Sequence, residues 1–185
     1  SQGTLTLPKF GGEILDQEWS GGISGGSTIG QERFMAQTFT TGPGFELLGR
    51  IDLYLCYGLG EPVDITVEIR ETDADDLPTT KILAKGKINA FNTPAFPTYD
   101  WVSCVFQQPI QLKPSTKYAI VISCRYSQTR SAYVWGYNFN YPSGGYPGGS
   151  RINSFDSGKT WQKATWEDFL FKTYSPPTNY VLKAT

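Results

Sequence analysis

Val63-Asp64-Ile65-Thr66-Val67-Glu68-Ile69-Arg70 places an apolar residue at every second position and a polar one in each gap. In an extended chain, alternate side chains leave opposite faces, so this stretch has one apolar face and one wet face. It reads as a half-buried antiparallel strand. The same beat recurs on either side. Ile51, Leu53 and Leu55 alternate with Asp52, Tyr54 and Cys56, and Val102, Cys104 and Phe106 form another set. Tyr118, Ile120, Ile122 and Cys124 form a further one. Residues 37–40, 82–88, 132–140 and 169–174 carry weaker versions.

Turn signals separate these runs: Thr41-Gly42-Pro43-Gly44, Gly58-Leu59-Gly60-Glu61-Pro62, and residues 73–78, 92–97 and 142–149. No stretch of helical length carries an apolar stripe at 3.6 spacing. Residues 13–19 are expected to form at most one or two helical turns, and Thr165-Trp166-Glu167-Asp168 mimics a capping box before aromatics that favour a strand. Many short strands at regular spacing predict an all-β chain, a two-sheet antiparallel β-sandwich of jelly-roll type. The 185 residues fit one domain, expected at residues 13–185, with residues 1–12 as a short N-terminal strand arm.

Composition narrows function mostly by exclusion. Lys and Arg number 16 and Asp and Glu 17, a net charge of -1, so there is no basic footprint for nucleic acid and no polybasic membrane anchor. His is 0, which removes His-based triads and the HExxH metalloproteases. No apolar run is long enough to span a bilayer. The start at Ser1, with a composition rich in Gly, Thr, Ser and Tyr, is expected of a mature secreted chain. No Ser, Cys or Lys sits in an activation motif, and no carboxylate pair stands out, so a non-enzyme without a cofactor is expected.

Several motifs occur in a suggestive order. They are Ile14-Leu15-Asp16-Gln17, Ala36-Gln37-Thr38-Phe39-Thr40, Val67-Glu68-Ile69-Arg70 and Leu77-Pro78-Thr79. Residues 101–106, Thr116-Lys117-Tyr118-Ala119-Ile120-Val121-Ile122, Tyr133-Val134-Trp135 and Phe169-Leu170-Phe171-Lys172-Thr173-Tyr174 follow. Together they resemble the jelly-roll domain of secreted bacterial and archaeal surface modules of the choice-of-anchor type. The resemblance implies an extracellular, non-catalytic β-sandwich and no particular ligand. A second stretch, Ser154-Phe155-Asp156-Ser157-Gly158-Lys159-Thr160-Trp161, is similar to the Asp-box S-x-D-x-G-x-T-W of sialidase-type propellers. There the motif is structural. Locally, Asp156 is expected to accept backbone N–H groups, Gly158 to take a positive φ and Trp161 to pack beneath the hairpin. One copy cannot build a propeller, so the motif is read as a hairpin staple.

Four further features are candidates. Gly3-Thr4-Leu5-Thr6-Leu7 is a short alternating strand ended by Pro8 and followed by Gly11-Gly12. Thr4, Leu5, Thr6 and Leu7 could add to a sheet edge of the chain itself, or to a neighbour's edge and so propagate a homopolymer. The aromatic run Tyr133, Trp135, Tyr137, Phe139 and Tyr141 shares one face. Its first half suits the core, while Trp135, Tyr141, Tyr146 and Trp166 are candidates for stacking a polysaccharide. Asp73, Asp75 and Asp76 are a calcium candidate, but the EF-hand's sixth place is Pro78 and its twelfth is Ala84, which favours a solvated hairpin tip. Cys104 and Cys124 point inward by parity and could form a disulfide worth about 3 kcal/mol, or remain thiols. Cys56 falls on the outer face. The leading functional expectation is an extracellular subunit that assembles into a filament or surface layer; the alternative is a carbohydrate-binding module.

Overall fold

The computed structural model describes residues 10–58, 60, 63–125, 133–140 and 142–179. The octapeptide from Val63 falls largely in β6 (Ile65–Thr72), with Ile65, Val67 and Ile69 fully buried. β6 belongs to a six-stranded antiparallel sheet. Its neighbours are β7 (Pro78–Ile88) at the edge and β9 (Lys117–Cys124) on the inner side. Then come β4 (Phe34–Thr40), β11 (Arg151–Ser154) and β12 (Gln162–Lys163).

The facing sheet is organised by β5 (Leu47–Tyr57), which pairs along one side with β8 (Asp100–Gln111). Its other side is shared. β10 (Tyr133–Phe139) takes the end of β5, and β14 (Phe171–Tyr174) takes the beginning. β13 (Glu167–Phe169) runs on from β14 along β10, while β2 (Leu15–Trp19) flanks β14 and β3 (Gly25–Ile29) flanks β10. A separate short pair joins β1 (Phe10–Gly11) to β15 (Thr178–Asn179). Among the described residues the only helical element is a 3-10 turn at Ala90–Asn92. The chain is therefore the all-β antiparallel sandwich that the alternation predicts. Successive strands cross between layers, and β9 inserts between β4 and β6.

The core is the set of inward alternates. Ile51, Leu53 and Leu55 of β5 and Val102, Cys104 and Phe106 of β8 face Ile65, Val67 and Ile69 of β6 and Ile120 and Ile122 of β9 within one cluster. β9 is buried on its other face as well. Ala119 and Val121 join Ala36 and Ile152 under Phe34, Leu77 and Trp161. That second burial explains why the sequence of β9 is apolar almost without a break.

One local expectation fails. Residues 13–19 are not helical: 15–19 form β2, because β14 offers a backbone ladder from Phe171↔Trp19 to Tyr174↔Leu15. Residues 1–9 lie outside the described residues, and next to them Phe10 and Gly11 pair with the chain's own Asn179 and Thr178.

The parity of β6 is directly testable. Ile69→Ala is expected to lower stability by about 2–5 kcal/mol. Thr66→Ala, on the opposite face, should shift it by no more than about 0.5 kcal/mol. Urea denaturation of both variants checks the assignment of faces.

Candidate functional site

β7 and β8 lie one over the other at one side of the sandwich. These are edge strands, of 11 and 12 residues, and their outer edges pair with no strand among the described residues. Gly86 of β7 lets the layers approach, because a Cβ there would strike Cys104 Sγ and the Phe106 ring. Beside that contact a groove of about 940 Å³ runs between the edges, lined by Leu83, Lys85, Gly86, Val105, Gln107 and Ile110 among others.

The two edges differ in chemistry. β7 carries Lys81, Lys85 and Lys87, which reach Glu71 (2.8 Å), Glu68 (3.0 Å) and Asp64 (3.3 Å). Lysines along an edge discourage further strand pairing. β8 carries no charged residue from Trp101 to Gln111. Its regular ladder with β5 runs from Asp100↔Leu55 to Val105↔Arg50, and Val105 is 64% exposed. Beyond Val105 the register shifts, and Pro109 lacks an N–H, so the pairing-competent part is the first half of the strand. The sequence reading did not single out this edge. The signal was present as an eleven-residue strand-forming run without a charge.

Thr4, Leu5, Thr6 and Leu7 lie outside the described residues, as does Tyr141. The other stacking candidates divide. Trp135 is fully buried, stacked on Phe169 at 4.2 Å, with its indole N–H donated to the Leu170 carbonyl at 2.9 Å. Tyr146 is also in the core, which corrects its assignment to the surface. Asp168 Oδ2 accepts its backbone N–H at 2.8 Å, and its hydroxyl donates to Gln17 Oε1 at 2.7 Å. The Gly- and Pro-rich loop folds inward because a buried acceptor, itself held by Gln37 Nε2 at 2.9 Å, meets it there. Trp166 is 46% exposed with φ of 69°. With Trp135 and Tyr146 buried, Trp166 is the one exposed stacking candidate among the described residues.

The Asp-box hairpin has a closed hydrogen-bond network. Asp156 accepts the backbone N–H groups of Lys159 (3.1 Å) and Thr160 (2.9 Å) and the Thr160 hydroxyl (2.6 Å). Ser154 Oγ donates to Asp156 (2.8 Å) and accepts the Gly158 N–H (2.8 Å). Gly158 has φ of 79°, and Trp161 packs on the outer-face cluster around Ile152. Thr160's hydroxyl, its N–H and Ser154 together hold the Asp156 carboxyl down at about 2.

At the β6–β7 turn Asp73 accepts the N–H groups of Asp75 and Leu77, both at 2.9 Å, and Asp76 pairs with Lys117 at 2.7 Å. The carboxylates of Asp73 and Asp76 are thus engaged by different partners, and no group of three metal-ligating side chains gathers among the described residues.

Cys56, Cys104 and Cys124 are all buried thiols. The possible bridge between Cys104 and Cys124 does not form. β8 lies over β7, whereas β9 is two strands away, roughly 10 Å at ordinary strand spacing. Parity gave the face but not the lateral position. Cys56 does lie on the outer face, but the loop before β8 covers it: Ala95 bridges to Tyr57, and Tyr99 stacks on Tyr54 at 5.7 Å. Burial raises the Cys56 thiol above its ordinary value, against a hydrogen bond from Tyr99. It pushes Cys104 up to about 12.

The sequence matches no protein-family model and no curated protein. Among the described residues no helix is long and apolar enough to cross a membrane.

Two outcomes follow from these environments. All three thiols should resist iodoacetamide at pH 8 in the native protein and react fully in denaturant, as counted by mass spectrometry. Asp156's folded value lies below its unfolded one of about 3.9, so its contribution is present above that value and fades as pH falls toward about 2. Hydrogen exchange should show Lys159 and Thr160 amides losing protection over that window, and Asp156→Ala should lack it at every pH.

Proposed function

We propose that this chain is a non-enzymatic structural and adhesive subunit of an extracellular filament or surface layer. One copy's segment 3–7 adds as a strand to the open β8 edge of the next. The observation that carries this reading is the long, uncharged edge of β8, which pairs with no strand among the described residues, beside a lysine-guarded β7. An edge of this kind is a template for a further strand. The regular β5–β8 ladder spans residues 100–105, comparable in length to the alternating stretch 3–7. Main-chain hydrogen bonds supply affinity there, and the Leu5 and Leu7 side chains, on one face of that strand, fix its register. A strand passed from copy to copy does not close on itself, so the association extends. The resemblance to choice-of-anchor modules supports the extracellular setting. Saccharide stacking on Trp166 and Tyr141 is the competing reading, and no specific observation favours it.

Electron microscopy of the concentrated full-length chain is expected to show filaments or sheets. Leu5→Asp/Leu7→Asp and, separately, Val105→Lys should abolish them with an unchanged melting temperature. A wild-type chain that stays monomeric in light scattering at high concentration contradicts the proposal.

A further inference from the structure

Two hairpins meet over the outer face of the six-stranded sheet. One is the Asp-box hairpin, whose bonds to Asp156 end at Thr160, directly before Trp161. Trp161 packs on the cluster of Ala36, Ala119, Val121 and Ile152, and a Cβ on Gly158 would stand 3.3 Å from its ring. The other hairpin carries the β6–β7 turn. There Asp73 Oδ1 holds the N–H groups of Asp75 and Leu77, Leu77 packs on the same outer cluster, and Lys117 holds Asp76. In the sheet, β9, β4 and β11 stand between β6 and β12. The turn nonetheless leans across them, because Asp76 Oδ2 comes within 3.9 Å of Lys163 Nζ on β12. Each wall is therefore fixed by bonds of its own, before any ligand arrives.

Between these walls lies a cleft of about 440 Å³, lined by Ala74, Asp75, Asp76, Leu77, Trp161 and Lys163. That volume lies within the range of small-molecule sites. Its charges balance. Asp75 and Asp76 stand against Lys117 and Lys163, so the cleft favours neither a cation nor an anion. Asp76 spends its carboxylate on the ammonium groups. The Asp75 carboxylate is exposed and has no hydrogen bond or ion pair among the described residues. At 3.9 Å the Lys163 pair is too long for a hydrogen bond, which leaves ammonium protons to donate. A free acceptor, a free donor and an indole ring thus line one space. Acceptor and donor together suit hydroxyl groups, which both give and take hydrogen bonds. An indole suits a flat apolar face. A neutral molecule with hydroxyls around its rim and C–H groups on its face is a sugar ring.

We infer that this cleft binds a neutral sugar residue of a polysaccharide. The C–H face of the ring lies on Trp161, one hydroxyl donates to Asp75 and another accepts from Lys163. The Asp-box then does more than close a hairpin, since it also holds the platform in place. The cleft shares no described residue with the β7–β8 groove, so its occupancy does not depend on strand addition to β8. Trp166 is not among its lining residues, so the site is distinct from the stacking surface expected from the sequence.

The test is isothermal titration calorimetry of the full-length chain with tetrasaccharides. Cellotetraose, maltotetraose, mannotetraose and galactotetraose are the neutral probes, with tetragalacturonate and a chitosan tetramer as the acidic and basic ones. Saturable binding of at least one neutral probe, tighter than of either charged one, is the expected result. Asp75→Ala, at an exposed position, should keep the native melting temperature and weaken that binding by about tenfold or more, the worth of a hydrogen bond to a charged group. Trp161→Ala should abolish it. Because that variant also loses packing on Ile152, Asp75→Ala decides the matter where Trp161→Ala does not fold. No saturable binding of any neutral probe overturns the site. So does a charged probe bound as tightly as the best neutral one, which assigns the cleft to a charged ligand. Wild-type affinity in Asp75→Ala also overturns it, because the sugar is then held elsewhere on the molecule.

Discussion

The burial of alternate β5 residues against those of β6 and β9 is the interaction on which the molecule depends. Ile51, Leu53 and Leu55 on one side and Ile65, Val67 and Ile69 on the other make the two sheets a single body. Because each strand spends one face on this core, the remaining faces and edges are what the molecule can present outward. Parts of the outer faces are then covered. The Asp-box hairpin brings Trp161 over β9, and the loop before β8 buries Cys56. At the side where β7 lies over β8, the outer edge of each strand pairs with no strand among the described residues.

An open edge is a hazard that many sandwiches suppress, and this chain suppresses it unequally. The lysines of β7 are held by acids on β6 and just before it, so that strand shows ammonium groups to any approaching chain. β8 has no comparable device until its register shift and Pro109. The two edge strands therefore differ in what they present outward.

The period-two signal made the layers legible, because alternation reports burial on one face whatever the neighbours are. It reports nothing about which strands lie side by side. Cys104 and Cys124 both point inward, yet β6 and β7 intervene between their strands. Parity put Cys56 on the correct outer face but could not show its cover, and Tyr146 was misplaced, for a related reason: cover for the first and a buried acceptor for the second come from segments distant in sequence. Residues 13–19 lacked a clear period and became a strand through pairing with β14. The Asp-box hairpin was legible in detail because its bonds run between residues at most four apart. The candidate edge could be found only by adding sheet order to the charge-free run of β8.

The most direct measurement is hydrogen exchange across residues 101–105, compared between dispersed and assembled protein. If β8 receives a strand from a neighbour, its outward-facing amides become protected on assembly while those of β7 stay as they were. Unchanged exchange along β8 in assembled material would contradict the account, because copies would then be held together elsewhere.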